Sequence, residues 1–222
     1  MQSRLGLTVS GKQTPVGRGF RLVRVPAIKM RLLFVGPPGA GKGTQASRVA
    51  HELGVPHVST GEMFREHAAT GTELGRRVQA IMAAGEYVPD EVTVAMLKER
   101  LAEPDAEQGF ILDGFPRTEG QVAALDALIG VDGLDGVVVF EVDEDELVRR
   151  LLTRGRVDDT EDTIRYRFRV FGDQTAPLLA IYGKRGLLLS IDGMGDIDDV
   201  TERILKAIET LRTIDDGQRT AG

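Results

Sequence analysis

A run of four apolar residues, Leu32, Leu33, Phe34 and Val35, leads directly into Gly36-Pro37-Pro38-Gly39-Ala40-Gly41-Lys42-Gly43-Thr44, and a helical pattern follows over residues 45–53. No other stretch constrains the chain as tightly. A strand, a glycine-rich turn and a helix with Lys in its first turn together form a cradle for phosphate groups. Glycines let several backbone N–H groups converge on one point. The helix N-terminus adds partial positive charge, and Lys42 adds a full one. The general form of this loop has Ser or Thr directly after the Lys. Here Gly43 stands there and Thr44 follows.

Beyond the loop, short apolar runs alternate with helical patterns. Strands are predicted at 31–36, 109–113, 136–142 and 187–192, with a short one at 56–58. Helices are predicted at about 42–54, 60–70, 73–84, 90–103, 118–130, 144–154, 160–185 and 197–212. Val137, Val138, Val139 and Phe140 are apolar on both faces, as a strand covered on both sides requires. The pattern predicts an α/β fold with a parallel sheet flanked by helices. Pro177 is expected to kink or split the 160–185 helix. Gly85 and Pro89 bracket a loop, and the tail over 215–222 is expected to fray.

Charge separates the first 29 residues from the rest. They hold Arg4, Lys12, Arg18, Arg21, Arg24 and Lys29 and no acidic residue. They lack the apolar core of a secretory signal. Their composition suits an organelle transit peptide, or else an extension that does not fold or a start assigned too early, and one of the latter two is expected because Met30 opens the first strand with nothing missing. Without those six, 22 Lys and Arg face 34 Asp and Glu. So acidic a body argues against a nucleic-acid or membrane-surface binder, and no apolar run reaches the roughly 20 residues of a membrane span. The chain has no cysteine, which suits a cytoplasmic setting and removes Cys-ligated zinc. His51, His57 and His67 form no spaced ligand set.

Three further clusters carry chemistry. The apolar strand at 109–113 ends in Asp113-Gly114-Phe115-Pro116-Arg117. An acidic strand end beside a phosphate loop suits Mg²⁺ held through water, and Arg117 places a guanidinium at the same sheet edge. Ser59-Thr60-Gly61-Glu62-Met63-Phe64-Arg65 follows the short strand, where Thr60 could serve as a helix N-cap. Arg154 and Arg156 flank Gly155 at a helix break, with Asp158 and Asp159 next and Arg167 later. Such a loop can close over an anion. Arg149, Arg165 and Arg169 read as solvated helix faces.

Together these motifs resemble the adenylate kinases, over about residues 30–208. The family pattern Gly-x-Pro-Gly-x-Gly-Lys-Gly-Thr fits 36–44 without a mismatch, so Gly43 is expected there. Asp-Gly-Phe-Pro-Arg-x-x-x-Gln fits Asp113 to Gln121, and Arg-x-Asp-Asp with a later Arg fits Arg156 to Asp159 with Arg167. The resemblance implies a five-stranded P-loop fold with mobile NMP-binding and short lid segments. Its core would be 30–58, 89–152 and 160–212, its NMP-binding part 59–88 and its lid 153–159, with 213–222 a tail. It implies MgATP + AMP ⇌ 2 ADP, a reaction that balances adenine nucleotides and salvages AMP.

The same resemblance implies the site residues. Gly39, Ala40, Gly41, Lys42, Gly43 and Thr44, with Arg154 and Gly195, would hold ATP. Thr60, Arg65, Glu86, Tyr87, Val88, Gly114, Phe115, Pro116, Arg117, Gln121, Arg156 and Arg167 would hold AMP. Lys42, Arg117, Arg154, Arg156 and Arg167 would be catalytic, and Asp113 would meet Mg²⁺ through water. Asp158 and Asp159 would be partners of lid arginines. The long zinc-binding lid of many bacterial relatives is absent from this chain, so zinc is not expected. A monomer is expected. A UMP/CMP kinase of the same fold is an alternative, disfavoured by Thr60 where those enzymes usually resemble Ser-Ala-Gly at 59–61, and by Gln121. A P-loop ATPase or switch module is another, though it has no need of a second nucleotide site.

Overall fold

The computed structural model describes residues 29–156 and 159–219, the last eight as backbone only. Its elements are β1 (Met30–Val35), α1 (Lys42–Leu53), β2 (His57–Ser59), α2 (Thr60–Ala69), α3 (Glu73–Ala83) and α4 (Asp90–Leu101). A 3₁₀ turn over Pro104–Gln108 precedes β3 (Gly109–Asp113), α5 (Glu119–Ile129), β4 (Gly136–Glu141), α6 (Glu144–Arg154) and α7 (Glu161–Val170). A π turn over Phe171–Thr175 then leads to α8 (Leu178–Lys184), β5 (Leu188–Asp192) and α9 (Ile197–Arg219).

The five strands form one parallel sheet in the order β2-β3-β1-β4-β5. Alternation along β1 and β4 divides the core in two. Leu32, Phe34, Val138 and Phe140 face α1 and α9, packing on Ala46, Val49, Val200 and Ile204. Leu33, Val35, Val137 and Val139 face the other way, onto Leu97, Val122, Leu125, Leu178 and Tyr182 of α4, α5 and α8. Both faces of the central strands are therefore sealed, which is why those strands read as unbroken apolar runs. Phe64, Val78 and Val88 make a third, smaller cluster between α2, α3 and α4.

The register places the site. Phe34 pairs with Asp113 and Val35 with Val139. The loop after β1 thus opens beside the acidic end of β3, at the carboxyl edge of the sheet, where chain connections leave to opposite sides.

Two differences from the expected elements have physical causes. The 160–185 segment breaks before Pro177, not at it. Proline has no N–H for the carbonyl of Asp173, and the Ala176 N–H reaches five residues back to the Phe171 carbonyl at 2.9 Å, widening the turn into a π form. At the end of the chain, α9 continues to Arg219 instead of giving way to a tail at 213. An established helix extends at little cost per residue, and no proline stops it.

Candidate active site

The phosphate loop is shaped by two glycines in the left-handed region, Gly39 at φ 85° and Gly41 at φ 86°. Gly39 has a second reason to lack a side chain: a Cβ there would lie 2.9 Å from the carbonyl oxygen of Leu147 on α6. Gly41 caps α1, with no side chain bonded to the helix end and no acidic residue in the first turn. The N–H groups of that turn and their positive dipole end are left to an anion. Lys42 curls over the loop, its Nζ donating to the carbonyls of Gly36 at 2.8 Å and Pro37 at 2.9 Å. Burial pulls its pKa down to about 8. Asp113 opposes that shift, and Arg117 and Arg154 add to it.

Asp113 explains Gly43. A Cβ on Gly43 would stand 3.3 Å from Asp113 Oδ2, tighter than an ordinary contact. The carboxylate therefore sits directly under the first turn of α1. Burial raises its pKa, but His57, Lys42 and Arg117 outweigh that and hold it below the usual carboxylate range. His57 Nε2 is 3.7 Å from Oδ2, beyond hydrogen-bonding reach, and is buried without a bond partner. A deprotonated, acceptor-only carboxylate beneath a phosphate loop fits a hydrated Mg²⁺. Among the described residues, no group of three His, Cys, Asp or Glu side chains is placed to hold a metal.

The turn after β3 holds the next cation. Gly114 adopts φ 81°, and a Cβ there would strike Arg117 Nη2 at 2.7 Å and Thr60 Oγ1 at 2.9 Å. The Phe115–Pro116 peptide bond is cis. Arg117 Nε donates to the Gly114 carbonyl at 2.6 Å, and its guanidinium lies 4.8 Å over the Tyr87 ring. Thr60 is not the N-cap: Ser59 caps α2, accepting from the Glu62 N–H. Thr60 is buried, and its hydroxyl donates to the Gly114 carbonyl at 2.9 Å. Gln121 is buried too, its amide bonded to the Arg117 N–H and to Asp90. Arg65 is exposed on α2 and turned along the cleft.

Beyond the end of α6, Asp159 collects the arginines. Its side chain has 0% exposure. Arg154 bonds it with two nitrogens, at 2.7 and 2.8 Å, and Arg167 Nη1 at 3.1 Å. The Arg156 N–H reaches it at 3.3 Å. Arg167 also donates to the Met82 carbonyl at the end of α3, joining the two sides of the cleft. The expected pairing of arginine with Asp159 is present, while Val157 and Asp158 lie outside the described residues. Arg165 pairs with Glu161 on the exposed face of α7.

All these elements border one cleft of about 820 Å³, within the usual range for ligand sites. Of the residues expected at the site, Thr60 alone is absent from its lining, standing one layer behind Gly114. Three further residues, not among those expected at the site, join it: Arg150 lines the cleft and donates to the Gly193 carbonyl at 3.1 Å, the Thr175 hydroxyl donates to the Arg117 carbonyl at 3.1 Å, and Asp90 accepts from the Gln121 amide. Arg150 stood in a visible arginine cluster. Nothing local to Thr175 or Asp90 announces a partner 58 or 31 residues away.

Comparison with known proteins agrees with this geometry. Residues 34–187 match the family model described as adenylate kinase. The adenylate kinase of Kocuria rhizophila is 51% identical over 185 residues, which are 81% of this chain and 98% of that protein. Those of Nocardioides sp. (52% over 188 residues) and Thermobifida fusca (51% over 187) each match 82% of this chain and 98–99% of their own length. A chain whose phosphate loop, Asp113–Arg117 turn and Arg154, Arg156 and Arg167 meet in one cleft, and which is half identical to these enzymes along nearly their whole length, belongs to the adenylate kinase family.

Proposed function

We infer that this chain catalyses MgATP + AMP ⇌ 2 ADP, with the cleft divided between the two nucleotides. The observation that carries this is the convergence on one cleft of a phosphate loop, Arg117 with its Tyr87 partner, and the Arg154, Arg156 and Arg167 group. A hydrolase or switch needs only the first of these.

The loop from Gly39 to Thr44 would hold the ATP phosphates, with Gly195 and Arg154 on the same side. Thr60, Arg65, the 86–88 backbone, the Gly114–Arg117 turn and Gln121 would hold AMP. Residues 59–88 would move as the AMP-binding part and 153–159 as the lid. Asp113 would hold Mg²⁺ through water; when bound, the ion neutralises charge on the ATP phosphates. Phosphoryl transfer passes through a loose transition state with charge on equatorial oxygens. The AMP phosphate is already an anionic nucleophile, so no base is needed, and a site of Lys and Arg without a facing His suits the task. Lys42, Arg117, Arg154, Arg156 and Arg167 would offset repulsion between two polyanions and hold them in line. Orientation of this kind can lower a barrier by roughly 7–11 kcal/mol. Closure over the cleft keeps water from competing.

The enzyme is proposed to act as a monomer in the cytoplasm. In the described residues, no helix is long and apolar enough to cross a membrane. A coupled assay of ADP formation across AMP, UMP, CMP and GMP tests the reading. AMP is expected to be preferred strongly. Equal turnover of CMP, or ATP hydrolysis indifferent to AMP, overturns it.

A further inference from the structure

We propose that Asp90 sets base specificity by pinning the amide of Gln121 in one orientation. The proposal rests on the assignment of Gln121 to the AMP base. Gln121 borders the cleft and is 2% exposed. Its Oε1 accepts the Arg117 N–H at 2.8 Å, and its Nε2 donates to Asp90 Oδ1 at 2.7 Å. The other oxygen of Asp90 accepts the Thr118 hydroxyl at 2.7 Å, and Thr118 Oγ1 accepts the Gln121 N–H at 3.2 Å. The three residues close a ring. Gly120 leaves room for it, since a Cβ there would lie 2.9 Å from Asp90 Oδ2.

The chemistry of the two partners decides the orientation. A backbone N–H can only donate, and a carboxylate can only accept. Turning the amide over would set NH₂ against N–H and oxygen against carboxylate, replacing two hydrogen bonds with two repulsions. An amide has two donors and two lone pairs. With one of each engaged, one N–H and one lone pair remain, and their order is fixed. The adenine edge offers a donor at N6 and an acceptor at N1. Hypoxanthine, of nearly the same outline, offers the reverse: an acceptor at O6 and a donor at N1. A freely turning Gln serves both, whereas a pinned one serves a single order. Asp90 does not border the cleft itself, so it is a positioning residue acting through Gln121.

The test compares kcat/KM for AMP and IMP in the wild type, Asp90→Leu, Asp90→Ala and Gln121→Ala, with KM for ATP as the control for general damage. Asp90→Leu and Asp90→Ala both remove the acceptor, the first at nearly the same volume; either is decisive if the other fails to fold. Both are expected to shift the AMP:IMP ratio toward IMP about tenfold, with KM for ATP unchanged. The shift stays partial because the Arg117 N–H remains. An unchanged ratio in the Asp90 variants, with a collapsed ratio in Gln121→Ala, overturns the pinning and leaves Gln121 as the base reader. An unchanged ratio in Gln121→Ala as well overturns the reading beneath it.

Discussion

Lys42 is an ammonium group curled over its own loop, bonded to two carbonyls and half-buried at the cleft. With its pKa near 8 in the folded chain and 10.5 when unfolded, the folded state binds fewer protons between those values. Its charge therefore opposes folding below about pH 8, and the opposition is relieved as pH rises toward 10.5. A bound polyphosphate reverses the balance by favouring the charged form. ATP binding is thus expected to take up a proton near pH 8.5, measurable by calorimetry in two buffers of different ionisation enthalpy, and Lys42→Met is expected to lose that uptake. The same variant is expected to lower kcat by about 10²–10³ without lowering the melting temperature. A fall of more than about 4 °C, roughly 1 kcal/mol in a protein of this size, would make Lys42 a strut instead of a binder. The setting of this residue in the loop was legible in sequence, since its neighbours in the chain are its partners in space. Gly43 was legible only as a family mark; its cause, the Asp113 carboxylate beneath it, lies on another strand.

The π turn at Phe171–Thr175 shows where element-level reading falls short. Pro177 announces a break, but a single sequence does not say that the chain will widen a turn ahead of it. The widened turn delivers the Thr175 hydroxyl to the Arg117 carbonyl. With its proton used there, Thr175 accepts from the Tyr87 hydroxyl at 3.0 Å, and Tyr87 in turn lies beneath the Arg117 guanidinium. Such cation–aromatic contacts contribute about 0.5–2 kcal/mol. Thr175→Val is expected to raise KM for AMP about threefold to tenfold, an effect of about 1 kcal/mol, with kcat and KM for ATP little changed. Steady-state kinetics with each substrate varied in turn decides it; a rise in KM for ATP alone would place the turn on the other half of the cleft. The central strands of the parallel sheet, by contrast, were readable one by one, because burial on both faces leaves so little freedom in composition.

At the scale of the molecule, Met30 at the start of β1 is 5% exposed in the core, and the three relatives named above are matched over 98–99% of their length by about four-fifths of this chain. Deletion of residues 1–29 is expected to leave activity and melting temperature unchanged, as assay and calorimetry of the shortened chain will report; a large drop in either would mean that the segment docks on the fold. Spatial convergence of the cleft could be anticipated only through the family pattern, since Lys42, Arg117 and Arg167 are far apart in the chain. Asp159 gives that cleft one more property. Its carboxylate is already in the grip of Arg154 and Arg167, so if those two arginines take nucleotide as proposed, capture would be an exchange of one anion for another. The guanidiniums would never face each other bare, and on departure of ADP an internal counterion would be waiting to reclaim them. Grip on the substrate would be tempered by that competitor, and release quickened by it.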